Sequence, residues 1–151
     1  MTMKAELLEV IKEDLIKHEG YKDEIYLCTE NIPTFGIGHA IKPNDPEYTW
    51  PMGTPIEKER IDNAFLEDVG IAIADCEALF KDVYAHPDKV VRVLVNMAFN
   101  LGRTRLGRFR NMIAAVNNKD YKKAANEMVD SRWYNQVGNR SIELENWMRN
   151  A

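Results

Sequence analysis

The chain has 151 residues, 45% of them hydrophobic and 29% charged, with 24 acidic side chains against 20 basic ones and a formal charge of −4. That length fits one domain, or one domain split into two lobes, able to bury about 68–70% of its unfolded surface. The composition excludes a disordered chain, the acidic balance argues against a general nucleic-acid binder, and no apolar run approaches the ~18 residues of a membrane-spanning helix.

Residues 4–17 read as an amphipathic helix, with Leu7, Leu8, Ile11, Leu15 and Ile16 at intervals of three and four, until Gly20 breaks the pattern. Charges interrupt this stretch, so it lacks the h-region of a signal peptide. Residues 25–27 and 34–37 read as short strands. Turn chemistry surrounds them at Thr29-Glu30-Asn31, Gly36, Gly38 and Pro43-Asn44-Asp45-Pro46. Thr54, Pro55 and Glu57 read as the N-cap, first turn and capping box of a helix. Its apolar stripe, from Ile61 through Phe65, Val69 and Cys76 to Phe80, lasts about seven turns.

Residues 90–101 are apolar on nearly all sides, as in the buried centre of a helical lobe, with Gly102 as the stop. Helices follow at 107–117, 121–130 and 140–149, Asp120 capping the second of these and Asn139 the last. The expected architecture is α+β and a single domain over 1–151. A β-rich lobe at 18–54 is joined by a connecting helix at 55–80 to a helical lobe of 1–17 with 81–151. A cleft between two lobes is a common place for a substrate site.

Two cysteines, Cys28 and Cys76, make no disulfide framework, and three scattered histidines with no HExxH or CxxC pair give no metal site and call for no cofactor. The densest chemical cluster runs from His18-Glu19-Gly20-Tyr21 to Gly36-Ile37-Gly38-His39. Glu19 ends a helix, where the negative end of the dipole favours the neutral carboxyl that a general acid requires. On local sequence alone it reads more readily as one of 24 solvated carboxylates, Cys28 as a small apolar residue and Thr34 as a strand former. Gly36-x-Gly38-His39 lacks the third glycine and the lysine of a phosphate loop.

The segment His18-Glu19-Gly20, Tyr26, Cys28, Thr34-Phe35-Gly36-Ile37-Gly38-His39 resembles the active-site segment of the phage lysozymes of glycoside hydrolase family 24. That family spaces a Glu, eight residues, an Asp or Cys, five residues and a Thr, as Glu19, Cys28 and Thr34 are spaced here. Asn96-Met97-Ala98-Phe99-Asn100-Leu101-Gly102 resembles its buried helix. Ser131-Arg132-Trp133-Tyr134-Asn135-Gln136 with Asn139-Arg140 resembles its C-terminal signature, and Glu67-Asp68-Val69 echoes its linking helix.

The resemblance implies an endolysin-type lysozyme that hydrolyses the β-1,4 bond between N-acetylmuramic acid and N-acetylglucosamine in peptidoglycan. Glu19 is then the general acid, with Cys28 and Thr34 supporting attack by water. Cys28 stands where most members carry Asp, and three roles stay open for it: thiolate in place of the carboxylate, nucleophile, or water-orienting thiol. Arg140 matches an arginine that pairs with the catalytic Glu. Phe99, Gly38 and His39 match saccharide-contacting positions, although Phe99 reads equally well as core and Gly38 as turn geometry.

The implied protein is a monomer that accumulates in the host cytoplasm, inserts in no membrane, and needs a holin-type pore to reach the periplasmic wall. A tail- or baseplate-associated role and a non-catalytic wall-binding module are the alternatives. A cysteine hydrolase pairing Cys28 with His39 would leave Glu19 and Thr34 unexplained. The run Arg103, Arg105, Arg108, Arg110 reads as a solvated face, or as a patch meeting anionic wall polymer, before it reads as a nucleic-acid site.

Overall fold

The computed structural model describes residues 3–151, which form seven helices and one three-stranded antiparallel sheet, the α+β architecture expected. Two compact units divide the chain: residues 13–70, and residues 1–12 with 71–151. The divisions fall inside the first helix, α1 (Ala5–Glu19), and inside the second, α2 (Lys58–Leu79).

The smaller unit carries the sheet. β1 (Lys22–Leu27) pairs with β2 (Pro33–Gly36) in the register Tyr26 to Thr34 and Leu27 to Pro33, and an irregularity lies between Lys22 and Tyr26. β2 pairs in turn with β3 (His39–Ala40), Phe35 opposite His39, a strand the sequence pattern does not announce because it is two residues long. Ile25, Phe35, Ile56, Ile61 and Ala64 make this unit's core, with Ile41 against it.

The start of α2 departs from the expected cap. Thr54 Oγ1 donates to Pro51 O at 2.6 Å. Ile25 N donates to Thr54 O at 3.0 Å, and Ile56 N donates to Asp23 O at 2.7 Å. Residues 54–56 therefore run extended beside β1, with Pro55 bridging Glu24. The edge of β1 has unpaired backbone groups to offer, and that pairing outweighs the local helix signal of Thr54-Pro55. The first helical bond, Ile61 N to Glu57 O at 3.1 Å, starts α2 three residues later than the capping box implies.

The larger unit is helical. α3 (Asp88–Gly107) passes through Gly102, whose φ of 79° and ψ of 169° break the helix without ending it. Its segment before the kink is almost wholly buried from Val90 to Ala98, as an all-round apolar helix should be. α4 (Arg110–Asn117), α5 (Tyr121–Val129), α6 (Arg132–Gln136) and α7 (Asn139–Arg149) follow. α5 packs on α4 and α7, and α7 packs on α3. Asp120 caps α5 as expected, accepting from Lys123 N.

The last helix is capped differently from the expectation. Asn139 is its first residue, and Gly138 (φ 60°) occupies the N-cap with no side-chain bond. α6 is a five-residue helix that periodicity cannot reveal. Its signal is Ser131, which donates to Met128 O at 2.6 Å and accepts from Tyr134 N at 3.2 Å.

Candidate active site

Glu19 is the last residue of α1, half-buried. Gly20 closes the helix with φ 86°, its N–H donating to Ile16 O at 2.8 Å, so the chain can turn at once into β1. Gly38, in the turn between β2 and β3, lies against the Glu19 side chain. A Cβ at Gly38 would fall 2.7 Å from Oε1, 2.9 Å from Cβ and 3.1 Å from Cδ of Glu19. The space left by the missing side chain is thus filled by Glu19.

Cys28 opens the turn that links β1 to β2. Its N–H donates to Ile32 O at 3.1 Å and its carbonyl accepts from Asn31 N at 2.9 Å, with Asn31 at φ 60°. Burial pushes the Cys28 thiol up, but the backbone N–H groups of Ile32 and Glu30 and the Thr34 hydroxyl outweigh it and hold the thiol below its usual range, against the Glu30 charge. Thr34 is buried, and its hydroxyl donates to Ile32 O at 2.7 Å and can turn the same proton to the Cys28 sulfur when the thiolate forms. The hydroxyl oxygen keeps its lone pairs for a donor such as a water.

Tyr26 stands opposite Thr34 on β1. Its phenol is pushed up by burial first and then by the charges of Cys28 and Glu19. One phenol thus feels the charges of both groups. The second cysteine, Cys76, is fully buried on α2, and burial drives its thiol far above the usual range. Both cysteines are free.

His39 turns out to be a structural bridge. The ring is buried, Nδ1 lies 2.7 Å from Asp68 Oδ2, and Nε2 lies 2.8 Å from Asp45 Oδ2. Burial alone would lower its pKa, but hydrogen bonds to Asp68 and Asp45 outweigh burial and raise it, the state in which both ring nitrogens donate. Both ring nitrogens are thus engaged by carboxylates.

The bridge extends further. Arg60 Nε and Nη2 bind Glu47 Oε2 and Oε1 at 2.8 and 3.0 Å, and Nη2 reaches Asp45 Oδ1 at 3.3 Å. The guanidinium also lies 5.4 Å from the Phe35 ring centroid. Asp68, His39, Asp45, Arg60 and Glu47 form one charged chain that ties residues 39–47 to α2. Sequence reading missed its role because nothing in a local window marks Asp45 and Glu47 as anything but solvated acids.

Phe99 and Arg140 belong to the larger unit. Phe99 is half-buried on α3. Arg140, in the first turn of α7, donates from Nε to Asn96 Oδ1 at 2.8 Å and from Nη2 to Asn96 O at 3.4 Å, Asn96 being fully buried. Trp133 is core, as its place in the pattern suggests. It is buried, its Nε1 donates to Asn100 Oδ1 at 2.8 Å, and its ring meets Phe109 edge to face at 6.2 Å.

A carboxyl on a helix end, an acidified thiol and a hydroxyl with free lone pairs make a set suited to acid-assisted cleavage with a guided water. Comparison with known proteins agrees. The profile of the family described as "Phage lysozyme" matches residues 16–149. The chain is similar to "Probable T4-type lysozyme 1" of Dictyostelium discoideum, 27% identical over 89% of this chain and 91% of that protein. It is also similar to "Pre-baseplate central spike protein Gp5" of Enterobacteria phage T4, 28% identical over 87% of this chain and 26% of that protein. A third likeness is to "Peptidoglycan hydrolase gp36" of Pseudomonas phage phiKMV, 27% identical over 86% of this chain and 14% of that protein.

Proposed function

The chain belongs to the phage lysozyme family and is a glycosidase, and from that premise we propose that it cleaves the β-1,4 bond between N-acetylmuramic acid and N-acetylglucosamine in bacterial peptidoglycan. Glu19 gives its proton to the glycosidic oxygen as the bond to the anomeric carbon breaks, and positive charge spreads over that carbon and the ring oxygen. A water attacks the same carbon from the opposite face. It donates one hydrogen bond to a lone pair of the Thr34 oxygen. The second proton leaves as the new bond forms, and the Cys28 thiolate stabilises the cationic transition state and takes that proton.

What carries this reading is the match of the phage lysozyme family over residues 16–149, supported by the turn at Cys28 whose backbone N–H groups lower its thiol. A turn that supplies N–H groups to sulfur favours the thiolate, the form that can stand in for a carboxylate. The outcome is inversion at the anomeric carbon. A β-to-β product would instead mean that the thiolate attacks the carbon itself.

The test is digestion of purified walls by the parent chain and by Glu19→Gln, with identification of the released ends. New reducing N-acetylmuramic acid ends from the parent and none from Glu19→Gln support the reading. Free amines would make the protein a peptidase or amidase.

Lysis of the bacterial host is the role we assign. The protein is made in the host cytoplasm and reaches the wall through a holin-type pore. The likeness to a segment of a baseplate spike protein favours a second reading, in which the same reaction serves entry. Expression inside the host with and without a pore-forming partner separates the two, because an endolysin lyses only with the pore.

A further inference from the structure

The basic run of α3 and α4 divides in the structure. Arg103 is tied down, its Nε 2.8 Å from Asp75 Oδ1. Arg105, Arg108 and Arg110 are exposed and line a groove of about 670 Å³ in the larger unit, together with Arg132 of α6. None of these four guanidiniums is held in an ion pair among the described residues. Phe109 and Trp133, packed edge to face, line the groove as well, and Glu127 and Asp130 are its two acids. A chain of net charge −4 thus gathers four unpaired arginines against two carboxylates in one concavity.

We propose that this groove binds phosphodiester groups of an anionic envelope polymer and holds the protein on the wall independently of the hydrolytic site. The proposal takes from the reading above only that the bacterial envelope is where the protein works. Guanidinium forks match the oxygens of a phosphate two at a time, and like charges gathered in one concavity repel one another until an oxyanion enters. The volume far exceeds one phosphate and suits successive units of a polymer. The two carboxylates and the acidic remainder of the chain oppose a duplex, whose phosphates are dense and continuous. Phosphates spaced by uncharged polyol or sugar can meet the arginines while a spacer lies along the half-buried Phe109.

The full chain carrying Glu19→Gln binds walls without digesting them, so binding is read apart from hydrolysis. Sedimentation with walls that carry a phosphodiester polymer is compared with the same walls after acid removal of that polymer. Binding about tenfold weaker on stripped walls is expected, as is an equal loss on intact walls for Arg108→Ala/Arg110→Ala, whose thermal unfolding reports that the fold is intact. The double Lys variant recovers part of the loss, since ammonium keeps the charge without the fork. Equal binding to both wall preparations overturns the proposal. So does binding indifferent to the double Ala substitution, or displacement by double-stranded DNA at lower concentration than by the free polymer. Failure of the hydrolytic reading shows differently, as intact walls under the unsubstituted chain with retention unchanged.

Discussion

Gly38 and Glu19 touch so closely that a Cβ on the glycine would sit 2.7 Å from the carboxyl oxygen Oε1. Gly38 is also at φ 62°, where a side chain costs about 1–2 kcal/mol of backbone strain. Gly38→Ala should therefore lower activity on walls by more than tenfold while costing only about 1–3 kcal/mol of stability. Gly53→Ala is the control: φ is 84° there but no atom lies within 4 Å of an added Cβ. It should show the strain in the unfolding curve with activity retained. Equal activity losses in the two variants would mean that strain, not displacement of Glu19, is responsible.

The charged chain around His39 sets a pH window for stability. His39 has its pKa raised on folding, so its contribution is fully present below the unfolded value of about 6.5 and is lost as pH rises through the raised folded value. Asp45 and Glu47 have theirs lowered: burial raises that of Asp45, outweighed by the Lys42 amide, His39 and Arg60, and Arg60 dominates for Glu47. Their contribution is present above an unfolded value of about 4 and fades as pH falls through the folded ones. Denaturant midpoints should peak between about pH 4.5 and 6.5. Asp68→Asn should cost about 1–3 kcal/mol there and less at alkaline pH, because the buried imidazolium loses one of its two charged partners. A loss independent of pH would show that the His39–Asp68 bond is not ionic.

Asn96 is the buried partner of Arg140, and its side-chain oxygen accepts from the guanidinium at 2.8 Å. Asn96→Ala removes that acceptor and leaves a small void, so chemical denaturation should show a loss of about 1–3 kcal/mol. Asn96→Leu should be no milder, because filling the void does not restore the acceptor.

How far the sequence carries depends on the range of the interaction involved. The helices of the larger unit are legible because their stripes are long, and Gly102 announces a break, though α3 resumes after it. Thr54-Pro55 misleads because the competing partner, the open edge of β1, lies about 30 residues back in the chain. At the site, the spacing of Glu19, Cys28 and Thr34 is visible, and so is the glycine at 38. What Gly38 faces is not visible, since a glycine in a turn reads the same whether it meets a ligand or a carboxyl. The same holds for His39: its acids come from a loop and a helix, and only the folded chain brings them to its two nitrogens.

Cys28 and Cys76 should separate cleanly by chemistry. Alkylation consumes the thiolate, so a thiol held below its usual range reacts at a lower pH than a free cysteine, whose midpoint is about 8.5. Cys76, buried and pushed far up, should not react until the protein unfolds. Iodoacetamide should thus label one site per folded chain, at Cys28, with a pH midpoint below that of a free cysteine, and activity should fall in step with labelling. Thr34→Val removes one of the groups that lower the thiol. It should move the alkylation midpoint upward while also slowing hydrolysis, linking the hydroxyl to both the sulfur and the water. Cys28→Asp should retain substantial activity, since a carboxylate supplies the same negative charge, whereas Cys28→Ala should lose most of it. Full activity in Cys28→Ala would remove the thiol from the reaction and leave Thr34 alone to orient the water.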